Sequence, residues 1–228
     1  LGAFGMLSAK GGHADALFQS HDTLEVVITA PLSTLVRVRS ASVELPGVFS
    51  FTDAAGTLVD LDIQVRARGN FRHRNCDFPP VTLNFRRSQV GGTLFDQQNK
   101  LKMVAHSKIT RRYEQSVERE YLTYRLLNSL TEQSFRVRLL RVTWVDSEGR
   151  RGRMVRSAFL IEHKNRLANR LGLQEQEIEF AEVSDVEPDH LSLTSMFQYL
   201  IGNVDFSPIA GSTGGCCHNY EMFGHAVD

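Results

Sequence analysis

Leu58-Val-Asp-Leu-Asp-Ile-Gln-Val-Arg-Ala-Arg68 alternates along its whole length. Val59, Leu61, Ile63, Val65 and Ala67 fall on one side, and Leu58, Asp60, Asp62, Gln64, Arg66 and Arg68 on the other. A period of two sends successive side chains to opposite faces, so this is a half-buried antiparallel strand. It implies partner strands on either side, and residues 17–100 supply candidates. Leu24–Ala30 alternates, is β-branched, and ends at Pro31. Pro79 and Pro80 break the chain ahead of a strand over Val81–Arg86. Gly91 and Gly92 make a turn, and the short apolar Leu101–Ala105 reads as a central strand.

The period then changes. Over 113–130, Val117, Tyr121, Tyr124, Leu127 and Leu130 recur at helical spacing, and Leu122 and Leu126 widen the stripe. Glu114, Glu118 and Glu120 enrich the first half, as the helix dipole favours. Phe135–Val145 and Val155–Glu162 form a hairpin around the polar turn Asp146–Gly152. Arg166–Gly172 suits a short helix. The acidic stretch Glu175–Pro188 reads as a surface linker. Leu191–Gly202 is a second amphipathic helix, with Asp189 or Ser192 as its N-cap and Gly202 as its stop. A strand-rich half, a long helix, a hairpin, a linker and a helix feeding a polar loop make an α+β protein.

The 228 residues suffice for one large domain or two small lobes. With 42% hydrophobic and 23% charged residues the composition is that of a globular protein. Formal net charge is zero, which removes the broad electrostatic argument for nucleic acid or acidic membrane as partner. Two local basic clusters remain: Arg66, Arg68, Arg72, His73 and Arg74, and Arg150, Arg151, Arg153 and Arg156. Leu1–Ala9 is apolar and built of small residues, and Ala14-Asp15-Ala16 fits an Ala-x-Ala pattern. Residues 1–16 are therefore expected to be a signal-peptide remnant or disordered, and the protein to be exported: periplasmic, cell-surface or secreted. No segment approaches a membrane span. Cys76, Cys216 and Cys217 leave three options open: a disulfide from Cys76 to Cys216 or Cys217, free thiols, or a zinc site with His73 or His218.

The loop after the second helix carries the most chemistry. Asn203, Asp205, His218 and Asn219 are groups of the kind that hold Mg²⁺ and a hydroxyl nucleophile. The same residues also suit turn capping in a Gly- and Pro-containing loop.

In order along the chain, several short motifs resemble those of the CotH family of atypical, spore-coat-type protein kinases, and more distantly HipA-like kinases. Arg68-Gly69-Asn70 follows a strand, and Phe78–Phe85 is a proline-containing stretch leading into a strand. Lys100-Leu-Lys102-Met-Val104 follows, then Glu120–Leu127 on the helix and Leu160-Ile161-Glu162 at the hinge position. Last come Asn203-Val-Asp205 and His218-Asn219. The resemblance implies an atypical protein-kinase-like fold, with a strand-rich N-lobe over residues 17–162 and a partial helical C-lobe over 163–228. It implies Mg-ATP-dependent phosphotransfer to a hydroxyl on an exported protein or similar acceptor. Asp205 would be the catalytic base and, with Asn219, a metal ligand. Arg68, Gly69 and Asn70 would lie at the nucleotide phosphates, with Lys102 (or Lys100) as phosphate-binding lysine. Glu118 or Glu120 would pair with that lysine, and Glu162 would mark the nucleotide-binding hinge.

Two departures stand out. Asn219 comes fourteen positions after Asp205, so Ser207–Cys217 must loop out. The family's further acidic ligand would lie past the last residues given. The competing expectation is a non-catalytic exported module that keeps the kinase-like shape for binding or scaffolding. A zinc or hydrolase reading on His73, Cys76, Cys217 and His218 lacks a His-Glu-x-x-His helix or spaced cysteine pairs. The sequence does not fix the acceptor or the oligomeric state.

Overall fold

A computed structural model of the chain describes residues 15–69, 76–108, 110–176, 178–209 and 217–225. The proposed leader residues 1–14, Asn70, the cluster Arg72–Arg74 and Cys216 lie outside them. The protein is mixed α/β, with a strand-rich part closed into a barrel. It divides into two compact units. One comprises the described residues up to Tyr121 together with Arg136–Glu162; the other comprises Leu122–Phe135 and the described residues from His163 onward.

The first unit is a seven-strand barrel. Its strands are β1 (Leu24–Ala30), β2 (Leu45–Thr52), β3 (Leu58–Ala67), β4 (Val81–Phe85), β5 (Lys100–Val104), β6 (Val137–Asp146) and β7 (Met154–Ile161). They close in the order β1-β2-β3-β4-β5-β7-β6. Every pairing is antiparallel except that of β1 with β6, which runs parallel from Leu24↔Leu140 to Ala30↔Asp146. The alternation of β3 does what it predicts: Leu61, Ile63, Val65 and Ala67 are buried. Phe49, Phe51, Phe85 and Phe95 pack as a ring cluster with centroids 4.9–6.3 Å apart. With Trp144, Leu83, Leu101 and Met103 they fill the interior, as a small barrel requires. Leu17 and Phe18 from α1 (Ala16–Gln19) and Leu32, Leu35 and Val36 from α2 (Leu32–Val38) complete the core.

Gly47 permits this closure. A Cβ there would lie 2.8 Å from the Thr29 carbonyl oxygen and 3.1 Å from Ala30 Cβ, inside contact distance of β1. Helix α2 begins after Pro31 without a side-chain cap of its own. The turn after β6 supplies one. Asp146 accepts from the Ser33 hydroxyl (2.7 Å) and amide (3.3 Å), and Glu148 from the Thr34 amide (2.7 Å) and hydroxyl (2.8 Å). Asp146 also accepts from the amides of Glu148, Arg150 and Arg151, at 3.0–3.3 Å. Burial pushes its carboxyl up, but the Ser33, Glu148 and Arg150 donors outweigh that and bring it from 3.8 to about 2.

Between the short α3 (Arg87–Val90) and the hairpin, the long helix is α4 (Arg111–Leu130). In the first unit it lies on the outer face of β7. Ser157 donates from its amide to Glu114 Oε1 and from its hydroxyl to Glu118 Oε1, both at 2.8 Å, and Tyr121 meets Phe159 at 6.0 Å. This corrects the expected apolar stripe. Val117 and Tyr121 are buried, whereas Leu122, Leu126 and Leu130 are 60%, 54% and 52% exposed.

Cys76 is a free, buried thiol, so of the three options the bridge from Cys76 to a later cysteine is not made. Its neighbour Asp77 donates to the Ser107 carbonyl at 2.8 Å, which pins the segment against the chain that follows β5.

The second unit contains α5 (Lys164–Leu171), the two-residue strands β8 (Gln174–Glu175) and β9 (Phe223–Gly224), and α6 (Pro188–Leu200). The stretch expected as a linker instead holds β8's last residue and a 3₁₀ turn at Val183–Asp185, where Glu182 and Asp185 cap each other reciprocally. Helix α6 starts earlier than the apolar pattern suggests. Glu187, not Asp189 or Ser192, is its cap, accepting from the amides of Asp189 (3.1 Å) and His190 (2.6 Å), with Pro188 at the first helical position. Proline there has its φ preset and needs no hydrogen-bond acceptor. Among the described residues no helix is long and apolar enough to cross a membrane.

Candidate functional site

Helix α6 ends in a way that aims the polar loop. Asn203 N donates to the Gln198 carbonyl (2.9 Å) and Gly202 N to that of Tyr199 (3.0 Å). This double closure around Gly202 is a Schellman motif. Asn203, one of the candidate polar groups, is then used in the turn itself. Its Oδ1 accepts from Asp205 N at 3.0 Å, and its Nδ2 donates to Gln198 Oε1 at 2.7 Å.

Two residues on, Ser207 pairs with His218 through reciprocal backbone bonds of 2.9 Å. Ser207 and His218, eleven positions apart in sequence, therefore stand side by side. Residues 205 and 218 stand diagonally on one face of this bridge, within reach of long side chains. His218 Nε2 meets Asp205 Oδ1 at 2.5 Å. Asn219 would point to the opposite face in an extended strand. Its φ of 52° turns it back, and its Nδ2 donates to Asp205 O (2.6 Å) and Oδ2 (3.0 Å). Asparagine tolerates this left-handed conformation better than most residues.

Aromatic packing holds the loop from behind. Phe206 meets Tyr220 edge-on at 5.6 Å, and Tyr220 lies 6.5 Å from His190 of α6. Burial, then nearby Glu187, raises the Tyr220 hydroxyl above its ordinary value. On the flank of the same segment, Glu175, Gln176, Glu179, Cys217, Tyr220 and Glu221 contribute to an open groove of about 460 Å³.

Asp205, Asn219 and His218 are thus brought together within the second unit. With both Nδ2 contacts made to Asp205, the Asn219 amide oxygen is turned away from that carboxylate. An Asp oxygen and an amide oxygen are hard donors, and Mg²⁺ often takes only one or two protein ligands, the rest being phosphates and water. Among the described residues no group of three or more His, Cys, Asp or Glu side chains could hold a metal ion by itself. Asp205 and Asn219 therefore make no preformed metal site, and the Asn219 amide must turn over before its oxygen and an Asp205 oxygen can face one cation.

The remaining candidates lie in the first unit. Arg68 and Gly69 extend β3, with Arg68 N bonded to the Pro80 carbonyl at 2.9 Å. Gly69 has φ +84°, and a Cβ there would meet nothing within 4 Å, so backbone conformation rather than crowding calls for glycine. Lys102 is exposed in the middle of β5, paired with Thr82 on one side and Ile161 on the other. Ile161 and Phe159 share a face of β7, and Phe159 is the residue that Tyr121 of α4 covers. Lys102 and the helix bearing Glu118 and Glu120 therefore lie on the same outer face of the barrel. Glu118 is engaged by Ser157. Glu162 is 2% exposed, and its Oε2 accepts from the Arg136 amide at 3.1 Å. A second bond, Glu162 N to Arg136 O at 2.9 Å, ties the end of β7 to the approach to β6.

Sequence reading offers His218 as a member of the polar loop and as a zinc ligand, with no contact to Asp205. Its adjacency to Asn219 was visible; its diagonal contact with Asp205 depends on the Ser207 pairing and was not. Compared with protein-family models, with curated proteins and with solved structures, the chain matches none.

Proposed function

We propose that this protein is an atypical kinase, related in plan to the CotH-like enzymes, that transfers the γ-phosphoryl group of Mg-ATP to a hydroxyl on an exported protein or similar acceptor. The observation that carries the proposal is the meeting of Asp205 with Asn219 across a fourteen-residue separation, through Nδ2–Oδ2 at 3.0 Å. Phosphoryl transfer needs a carboxylate to orient the acceptor hydroxyl and an amide oxygen for the metal, and catalysis there is mostly positioning and charge stabilisation. Asp205 accepts the hydroxyl proton as the acceptor oxygen bonds to the γ-phosphorus. The bond to the β,γ-bridging oxygen breaks, and ADP leaves with that electron pair. With its amide turned over from the Nδ2 contact it makes to Asp205, Asn219 would join an Asp205 oxygen in holding Mg²⁺, which supplies charge neutralisation at the phosphates when bound. Lys102 and Arg68 present cationic groups suited to phosphate, and the Gly69 backbone is open to close approach. Lys102 shares a sheet face with the helix carrying Glu120, the arrangement in which a helix carboxylate steadies a phosphate-binding lysine. Glu162 serves through its fixed backbone at the hinge position, its carboxylate being committed to Arg136.

Thermal unfolding with and without millimolar Mg-ATP tests this. A ligand at 100 times its Kd stabilises by about 2.7 kcal/mol, a shift of several degrees for a chain this size. No shift would favour the non-catalytic, kinase-like binding module instead.

A further inference from the structure

We propose that His218 is a positioning residue for Asp205, a role that rests on the phosphotransfer reading above. The Asp205 side chain is 75% exposed and that of His218 34%. A solvent-facing carboxylate samples several rotamers, and water competes for each of its oxygens. Here both oxygens are held, Oδ1 by His218 Nε2 at 2.5 Å and Oδ2 by Asn219 Nδ2 at 3.0 Å. An ionised carboxylate only accepts, so in this contact the donor is His218 Nε2–H. The backbone that carries the ring is itself anchored, because His218 is bonded in both directions to Ser207. Ser207 lies two residues from Asp205, so base and clamp share one short rigid element. Asn219 alone would leave Oδ1 free to rotate about the Cβ–Cγ bond once its amide oxygen took a cation. His218 fixes the carboxylate plane, and so the direction in which the acceptor hydroxyl must approach.

Steady-state kinetics of His218→Ala and His218→Gln, beside wild type, test the role. Misplacement of a catalytic group by about 1 Å can cost on the order of 10²-fold. His218→Ala should lower kcat by ~10–100-fold with the KM for ATP unchanged within ~2-fold, and added imidazole should restore part of the rate. Glutamine places an N–H donor near the Nε2 position, so His218→Gln should keep kcat within ~5-fold of wild type. An alanine variant as fast as wild type would overturn the proposal. So would a glutamine variant as slow as alanine, or loss of rate matched by loss of Tm in both. Long-range ¹H–¹⁵N spectra of the His218 ring read the contact without turnover: the Nε2–H tautomer should dominate in wild type and not in Asp205→Ala. A mixed tautomer in wild type would overturn the contact and the role with it. The expected tautomer in a protein with no Mg-ATP-dependent transfer would instead place the failure in the kinase reading, and end the positioning role for that reason.

Discussion

Asn219 donates from Nδ2 to both the carbonyl and the carboxylate of Asp205, at 2.6 and 3.0 Å, although the two lie fourteen positions apart. Removing that side chain while keeping the backbone conformation isolates its contribution. Asn219→Gly tolerates φ 52° without strain. It should raise the Mg²⁺ concentration needed for half-maximal transfer by roughly 10-fold or more, with little change in Tm. A Mg²⁺ titration at fixed ATP checks this, and an unchanged midpoint would make Asn219 a turn residue only.

Asp146 should be a point of acid and mutational weakness. Its carboxyl titrates near 2 when folded and at 3.8 ordinarily. A depressed value means that the ionised form stabilises the fold above about pH 4, and that this contribution is lost as pH falls from 3.8 towards 2. Asp146→Ala leaves several amide and hydroxyl donors of α2 and the hairpin turn without an acceptor. A loss on the order of 3 kcal/mol is expected in urea unfolding at pH 7.

His106 should produce a different pH dependence. It is 1% exposed and stacked on Phe78 at 5.0 Å, and among the described residues neither ring nitrogen has a hydrogen-bond partner. Burial first, then Arg156, lowers its value from 6.5 to about 4, against an opposing pull from Glu114. Between those values the unfolded chain binds the proton and the folded one does not. Stability should therefore fall as pH drops from 6.5 to 4. His106→Phe retains the stacking and removes the proton site, so Tm should vary less with pH across that window. An unaltered profile would show that His106 is not its source.

Gly47→Ala should cost roughly 1–3 kcal/mol through overpacking, because the added methyl meets the Thr29 carbonyl at 2.8 Å, backbone that cannot rotate away. Thermal unfolding measures this directly. Gly69→Ala is the contrast: φ strain without crowding, and a smaller loss.

These residues also show what the sequence reveals and what it hides. Strands β1 and β3 and helix α4 are legible because their apolar periods are local and strong. Strand β2 is not, since Pro46 and Gly47 read as breakers. Pro46 lies outside the β1–β2 ladder, which runs over Val48–Phe51. Helix α2 is invisible for another reason. Its caps, Asp146 and Glu148, lie 113–114 residues away, and no local pattern announces a distant cap. The parallel closure of β1 on β6 is equally non-local. In the candidate site, residue types and order were visible, whereas the Ser207–His218 pairing that unites them and the left-handed turn at Asn219 were not.

The central claim is that Asp205 is the base of a Mg-ATP phosphotransferase. Its most direct test is ADP release and label transfer from γ-³²P-ATP in Mg²⁺, wild type beside Asp205→Asn, with Tm measured on both. The account predicts Mg²⁺-dependent turnover in wild type and a loss of about 10³-fold or more in Asp205→Asn, at an unchanged Tm. Turnover within a few-fold of wild type in Asp205→Asn, or no turnover in wild type, would contradict it.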